Sequence, residues 1–128
     1  MKLENINNHL EEGSEDPYFK EIYKLEQQKM GIVSRIVEYR IKYKLSQIDL
    51  AKKMGVTQQH ISKIENGDFS NMTTLENVLF FLGYTLRIKE IPLSTTRANG
   101  VRKVLRKGNG TNKINSIRQR SRALIKKS

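Results

Sequence analysis

The stretch from Ser46 to Gly67, SQIDLAKKMGVTQQHISKIENG, constrains this chain more than any other. Ser46 followed three residues later by Asp49 is a capping box, which starts a helix by satisfying two backbone N–H groups reciprocally. That helix is short, because Gly55 follows Met54 and can enter the left-handed backbone region at no steric cost. Thr57 then caps a second short helix, about Gln58 to Glu65, which stops at Asn66-Gly67. Two helices joined by so short a turn must cross steeply. Ala51 is small enough for the close approach, and Val56 supplies an apolar plug under the turn. Leu50, Met54, Ile61 and Ile64 account for the dry side of the pair. What remains outward on the second helix is Thr57, Gln58, Gln59, Ser62 and Lys63, with His60 beside them.

The flanks extend this pair into a helical bundle. Asp16-Pro17 has the form of a helix start, and Phe19, Ile22 and Tyr23 fall on one helical face. A short helix around Leu3 to Leu10 is a further expectation. Gly31 reads as a break or kink, after which Val33, Ile36, Val37 and Ile41 form one apolar stripe. Thr73-Thr74-Leu75-Glu76 reads as a second capping box, opening a helix with Leu75, Val78, Leu79 and Leu82 inward and Gly83 at its end. From Thr85 to Ile91 apolar and charged residues alternate, the period of a short strand, which Pro92 stops. That strand has no evident partner within the chain and is expected to pair across a dimer or with a partner protein.

Charge divides the chain into three. Residues 1–31 hold 4 Lys/Arg against 7 Asp/Glu, residues 32–91 hold 9 against 6, and residues 92–128 hold 11 against none. The net charge of +11 is therefore a property of the last segment, whose natural partners are polyanions. With few large apolar residues and like charges throughout, residues 92–128 read as a disordered basic tail. A weak helical face of Ile114, Ile117 and Leu124 could form on a partner. The division expected is an acidic helical extension (1–31), a core domain (32–91) and the tail (92–128).

Several classes of function are disfavoured. The chain has no cysteine, which removes thiol nucleophiles and cysteine-built zinc sites. Two histidines, at positions 9 and 60, offer little for a metal, and no cofactor is expected. No phosphate-binding glycine loop or carboxylate pair suggests an enzyme. The longest apolar run, Val78 to Leu82, is too short to cross a bilayer. Residues Met1 to Asn8 lack the basic start and apolar run of a secretory signal, so the expected location is cytoplasmic, on the nucleoid when bound to DNA.

The spacing Ser46-Gln47, Leu50-Ala51, Gly55-Val56, Ile61-Ser62 and Glu65-Asn66-Gly67 resembles the Cro/cI-type (XRE-like) helix-turn-helix family. The resemblance covers about Ile32 to Gly83. It implies an all-α fold of about five short helices, here with one short C-terminal strand and the basic tail. It also implies a repressor that binds a palindromic operator in double-stranded DNA as a homodimer. In that family the second motif helix enters the major groove, and its first residues meet base edges. By position, Gln58 and Gln59 would face bases, as in lambdoid phage repressors with the same Thr-Gln-Gln start. Thr57, His60, Ser62 and Lys63 would lie at bases or phosphates. Gln47 would hold a phosphate from the start of the first motif helix.

A narrower likeness extends to about Asp16 to Ile91. Asp16-Pro17, Phe19 and Tyr23 ahead of the motif, with Leu86 to Ile91 after it, are similar to HigA-type antitoxins of type II toxin–antitoxin systems. That resemblance implies a second partner, a basic RelE/HigB-like ribonuclease toxin. The alternative it leaves open is a stand-alone phage- or mobile-element-type regulator. The 37 residues from Pro92 to Ser128 have no counterpart in either pattern.

Overall fold

A computed structural model describes residues 18–127, so the expected helix near Leu3 to Leu10 and the Asp16-Pro17 start lie outside the described residues. Six helices follow in order: α1 Phe19–Lys42, α2 Gln47–Met54, α3 Gln58–Glu65, α4 Met72–Leu82, α5 Thr95–Arg106 and α6 Gly110–Lys126. None of the described helices is long and apolar enough to cross a membrane. The chain divides into two compact units, one of residues 29–89 and one that joins 90–127 to the described residues up to 28.

In the unit of residues 29–89, local chemistry sets each helix end. Asp49 N–H donates to Ser46 Oγ and Ser46 N–H to Asp49 Oδ2, both at 3.0 Å, completing the capping box. These same bonds hold the Asp49 carboxyl below the usual range. Gly55 closes α2 at φ 72°. Its left-handed turn lets Val56 N–H reach back to the Ala51 carbonyl at 3.0 Å. Thr57 caps α3, accepting from His60 N–H at 3.2 Å. The core of this unit is Ile36 from α1, Leu50 and Ala51 from α2, Ile61 and Ile64 from α3, and Leu75, Val78 and Leu79 from α4. Burying each of the leucines, isoleucines and the valine contributes about 1.5–3 kcal/mol, which is what sets the crossing of helices too short to be stable alone.

Three local expectations are corrected in this unit. α1 runs unbroken through Gly31, because burial of Val33 and Ile36 outweighs the roughly 1 kcal/mol that glycine costs inside a helix. A Cβ at Gly31 would meet nothing within 4 Å. Gly31→Ala is therefore expected to raise stability by about 1 kcal/mol, measured by urea unfolding. Ile41 is not part of the buried stripe: it is 71% exposed near the end of α1, where Lys44 turns left-handed at φ 55° and ends the face. α4 begins earlier than the Thr73 box, because Asn71 takes the cap and accepts from Thr74 N–H at 3.0 Å.

The expected strand from Thr85 to Ile91 is absent. Alternation makes a strand only when a second edge accepts its hydrogen bonds, and no strand occurs among the described residues. The segment is extended chain. Leu86 packs against the core, while Ile88 and Ile91 stand 74% and 77% exposed.

The basic tail is not disordered chain but two helices, which corrects the reading from composition. Ser94 caps α5, accepting from Arg97 N–H at 3.3 Å. The apolar face of α6, Ile114 and Ile117, closes a second core with Tyr18, Phe19, Ile22 and Tyr23. Val101 and Val104 of α5 pack against its edge. Two ion pairs reinforce it, Arg97 to Glu21 at 3.0 Å and Arg122 to Glu26 at 3.2 Å. Burial pushes the Tyr23 phenol above its ordinary pKa. Repulsion among the cations is real but is outweighed by this core. The start of α1 provides the apolar face that the tail needs.

α5 meets α6 through Gly110, which is buried. A Cβ there would overlap the Val104 carbonyl and crowd Leu105 Cα, both backbone and unable to move aside cheaply. Gly110→Ala should destabilise this unit by at least about 2 kcal/mol, read as an earlier loss of helical circular dichroism on heating.

Candidate nucleic-acid interface

α3 divides its side chains as its spacing requires. Ile61 and Ile64 are 1% and 4% exposed, while Thr57, Gln58, Gln59 and Lys63 are open to solvent. His60 and Ser62 are half-buried on the border between the faces. His60 Nδ1 is enclosed with no hydrogen-bond partner, so one edge of its ring is turned into the protein. The Thr57 hydroxyl is committed to the cap. No acidic residue occupies the first turn of α3, so the partial positive charge of the helix start is not offset there.

A chain of side chains fixes the first residue of α3. Arg40 donates through Nε and Nη2 to the two carboxylate oxygens of Glu65, each at 2.7 Å, and through Nη1 to the Leu45 carbonyl at 3.2 Å. This bidentate pair is 18% and 9% exposed at its side chains, and the hydrogen bonds to Glu65 raise the Arg40 pKa. Gln47 Nε2 donates to Glu65 Oε1 at 3.2 Å, and Gln58 Nε2 donates to Gln47 Oε1 at 3.1 Å.

The order of donors is forced. An ionised carboxylate only accepts, so Gln47 must turn its NH₂ toward Glu65 and its oxygen toward Gln58. Gln58 must then turn its own NH₂ toward Gln47. Its Oε1 and second N–H remain available. An acceptor and a donor side by side are what the N6 and N7 edge of adenine pairs with.

Gln47 thus occupies a different place from the one expected of it. Its amide lies between Glu65 and Gln58, and whatever it offers a phosphate comes in addition to that bridge. The structure brings Gln47, Gln58 and Glu65 together, and it leaves Gln59 and Lys63 on the open face. In the sequence Arg40 is only a cation near the end of α1. Its pairing spans 25 residues of sequence and has no local signal.

Comparison with known proteins agrees with this geometry. No solved structure matches the chain. Residues 36–86 match the family model described as helix-turn-helix, a span that holds α2, the Gly55 turn, α3 and α4. From Ile36 to Leu86 this chain therefore carries a helix-turn-helix domain, the DNA-binding domain of transcription regulators.

Proposed function

We propose that this protein is a sequence-specific transcriptional repressor that binds a palindromic operator as a homodimer. The observation that carries the reading is the set of Gln58 and Gln59 on an open helix start, with Gln58 oriented by Gln47, Glu65 and Arg40. Gln58 and Gln59 read bases, Lys63 holds a backbone phosphate, and Thr57 and Ser62 border the contact. Gln47 fixes Gln58 and adds a phosphate contact of its own; His60 packs at the edge of the face.

Two features from the end of α4 onward support pairing of copies. Phe80, Phe81 and Tyr84 cluster in sequence at the end of α4 and are 53%, 41% and 49% exposed. Large apolar groups gathered on a surface mark a contact with another chain. The extended segment after Leu86 has backbone groups that a second strand would satisfy. Amide hydrogen exchange from Leu86 to Ile91 should slow only at concentrations where the dimer forms. Slow exchange in a dilute monomer contradicts that pairing.

The finer reading is that the repressor is the antitoxin of a type II pair and controls its own operon. It rests on the likeness of the Asp16 to Tyr23 element and the segment after the domain to HigA-type antitoxins. In this chain Phe19 and Tyr23 are buried in the core against α6, so a basic toxin would meet other residues of that region. The reading requires a short toxin-sized reading frame beside this gene, whose product co-purifies with this protein. A gene with no such neighbour leaves the stand-alone regulator.

Selection of binding sites from a pool of randomised duplexes tests the repressor reading. The expected winners are palindromes with adenine in each half-site and half-site centres roughly 34 Å apart, or a multiple of that. Recovery of no common sequence overturns it.

A further inference from the structure

We infer that α5 and α6 form a second nucleic-acid surface, which holds the phosphates of duplex DNA without reading their sequence. The inference rests on the reading above only in taking duplex DNA as the partner.

The two helices concentrate cations in an ordered form. All eleven Lys and Arg of residues 92–128 lie on them or at their ends, and the segment holds no acid. Arg97 and Arg122 are engaged with the carboxylates of Glu21 and Glu26, at the edge of the core of the unit. On α5, Arg102, Lys103 and Arg106 are exposed together, on the side opposite Val101. On α6 and at its C-terminal cap, Lys113, Arg120 and Lys127 recur every seven residues. That period aligns them along one flank at steps of about 10 Å.

This arrangement works against the fold. Arg102 and Arg106, Lys103 and Lys107, and Arg122 and Lys126 are like charges four residues apart, a spacing that destabilises a helix. A surface of alternating sign would serve solubility without that cost. What relieves the repulsion is a polyanion, with release of the counterions condensed on it.

The side chains between the cations decide which polyanion. No Phe, Tyr or Trp occurs after Tyr84, so there is nothing on which unpaired bases could stack. The outward positions of α6 are Asn112, Ser116, Gln119 and Ala123, and its isoleucines are turned into the core. A helix that settles into a lipid surface needs a large apolar face free. Asparagine, serine and glutamine between arginines suit the sugar–phosphate backbone of a duplex.

The test uses the full chain and two variants with no position in common. One carries Arg102→Gln, Lys103→Gln and Arg106→Gln; the other carries Arg120→Gln, Lys126→Gln and Lys127→Gln. These positions are exposed, glutamine is a good helix former and the repulsion is relieved, so thermal midpoints should hold or rise slightly. Affinity for a duplex of unrelated sequence is measured against salt concentration. Each contact removed should lower the slope of log K on log salt by about 0.9, so each variant should lose about 2 to 3 in slope. The ratio of affinities for a selected duplex and an unrelated one should not change. The versions carrying lysine at Arg102, Arg106 and Arg120 should keep the full slope. An unchanged slope in both triple variants overturns the proposal. So does tighter binding by the intact protein to single-stranded DNA, duplex RNA or phosphatidylserine vesicles than to duplex DNA. Gln58→Ala with Gln59→Ala serves as the separating arm: it should change the ratio and leave the slope. Should it change neither, the reading of α3 fails while that of α5 and α6 stands.

Discussion

Replacing Glu65 with alanine is expected to cost about 3–5 kcal/mol of folding stability, a large part of what a domain of this size has. The figure follows from what is left behind. Arg40 is 18% exposed at its side chain and gives two of its donors to Glu65, so removal strands a largely enclosed guanidinium. The Leu45 carbonyl retains only one bond to it. Glu65→Gln should cost less, because an amide oxygen still accepts from Arg40. Urea unfolding of the three proteins measures the order. A loss below about 1 kcal/mol for the alanine variant would mean that the pair is as weak as an ordinary surface ion pair. The same variant should bind its selected duplex more weakly even when fully folded, since Gln47 and Gln58 lose the carboxylate that orients them.

The second large effect concerns the base-reading face itself. Gln58→Ala with Gln59→Ala should remove about 3 kcal/mol of discrimination between the selected duplex and a scrambled one, roughly a hundredfold or more. Both side chains are exposed, and neither takes part in the core of the domain, so the unfolding midpoint should shift little. Gln58 also donates to Gln47, and its loss leaves Gln47 Oε1 to water. A neutral acceptor half open to solvent is inexpensive to release.

The parts of this molecule that could be read from the chain are those whose causes are local. Ser46 with Asp49, Gly55, and Thr57 act within four residues of themselves, and each does in space what its spacing implied. The buried isoleucines of α3 followed from helical period alone. Most of what is not legible in the chain depends on partners far along it. Arg97 meets Glu21 across 76 residues and Arg122 meets Glu26 across 96, and no window of sequence contains either pair. This is equally true of Ile114 and Ile117, which pack on Tyr18, Phe19, Ile22 and Tyr23, and without that apolar face the tail is a run of repelling charges. The same holds for Leu86 to Ile91, where period two was real but the second edge was missing. Gly31 differs in kind: a single glycine carries a small penalty, and burial of Val33 and Ile36 beside it outweighs that penalty. At the interface, the position of Gln58 is legible, but its orientation comes from a relay through Gln47 of α2 to the Glu65 carboxylate at the other end of α3 and to Arg40 of α1.

The most direct measurement compares the intact protein and the Gln58→Ala, Gln59→Ala variant on one selected duplex and on its scrambled counterpart, at a single salt concentration. The account predicts that the intact protein separates the two duplexes by at least about a hundredfold and that the variant separates them by little. Equal discrimination by both proteins would contradict it, because the glutamines would then be ordinary solvated surface and the bases would be read from elsewhere.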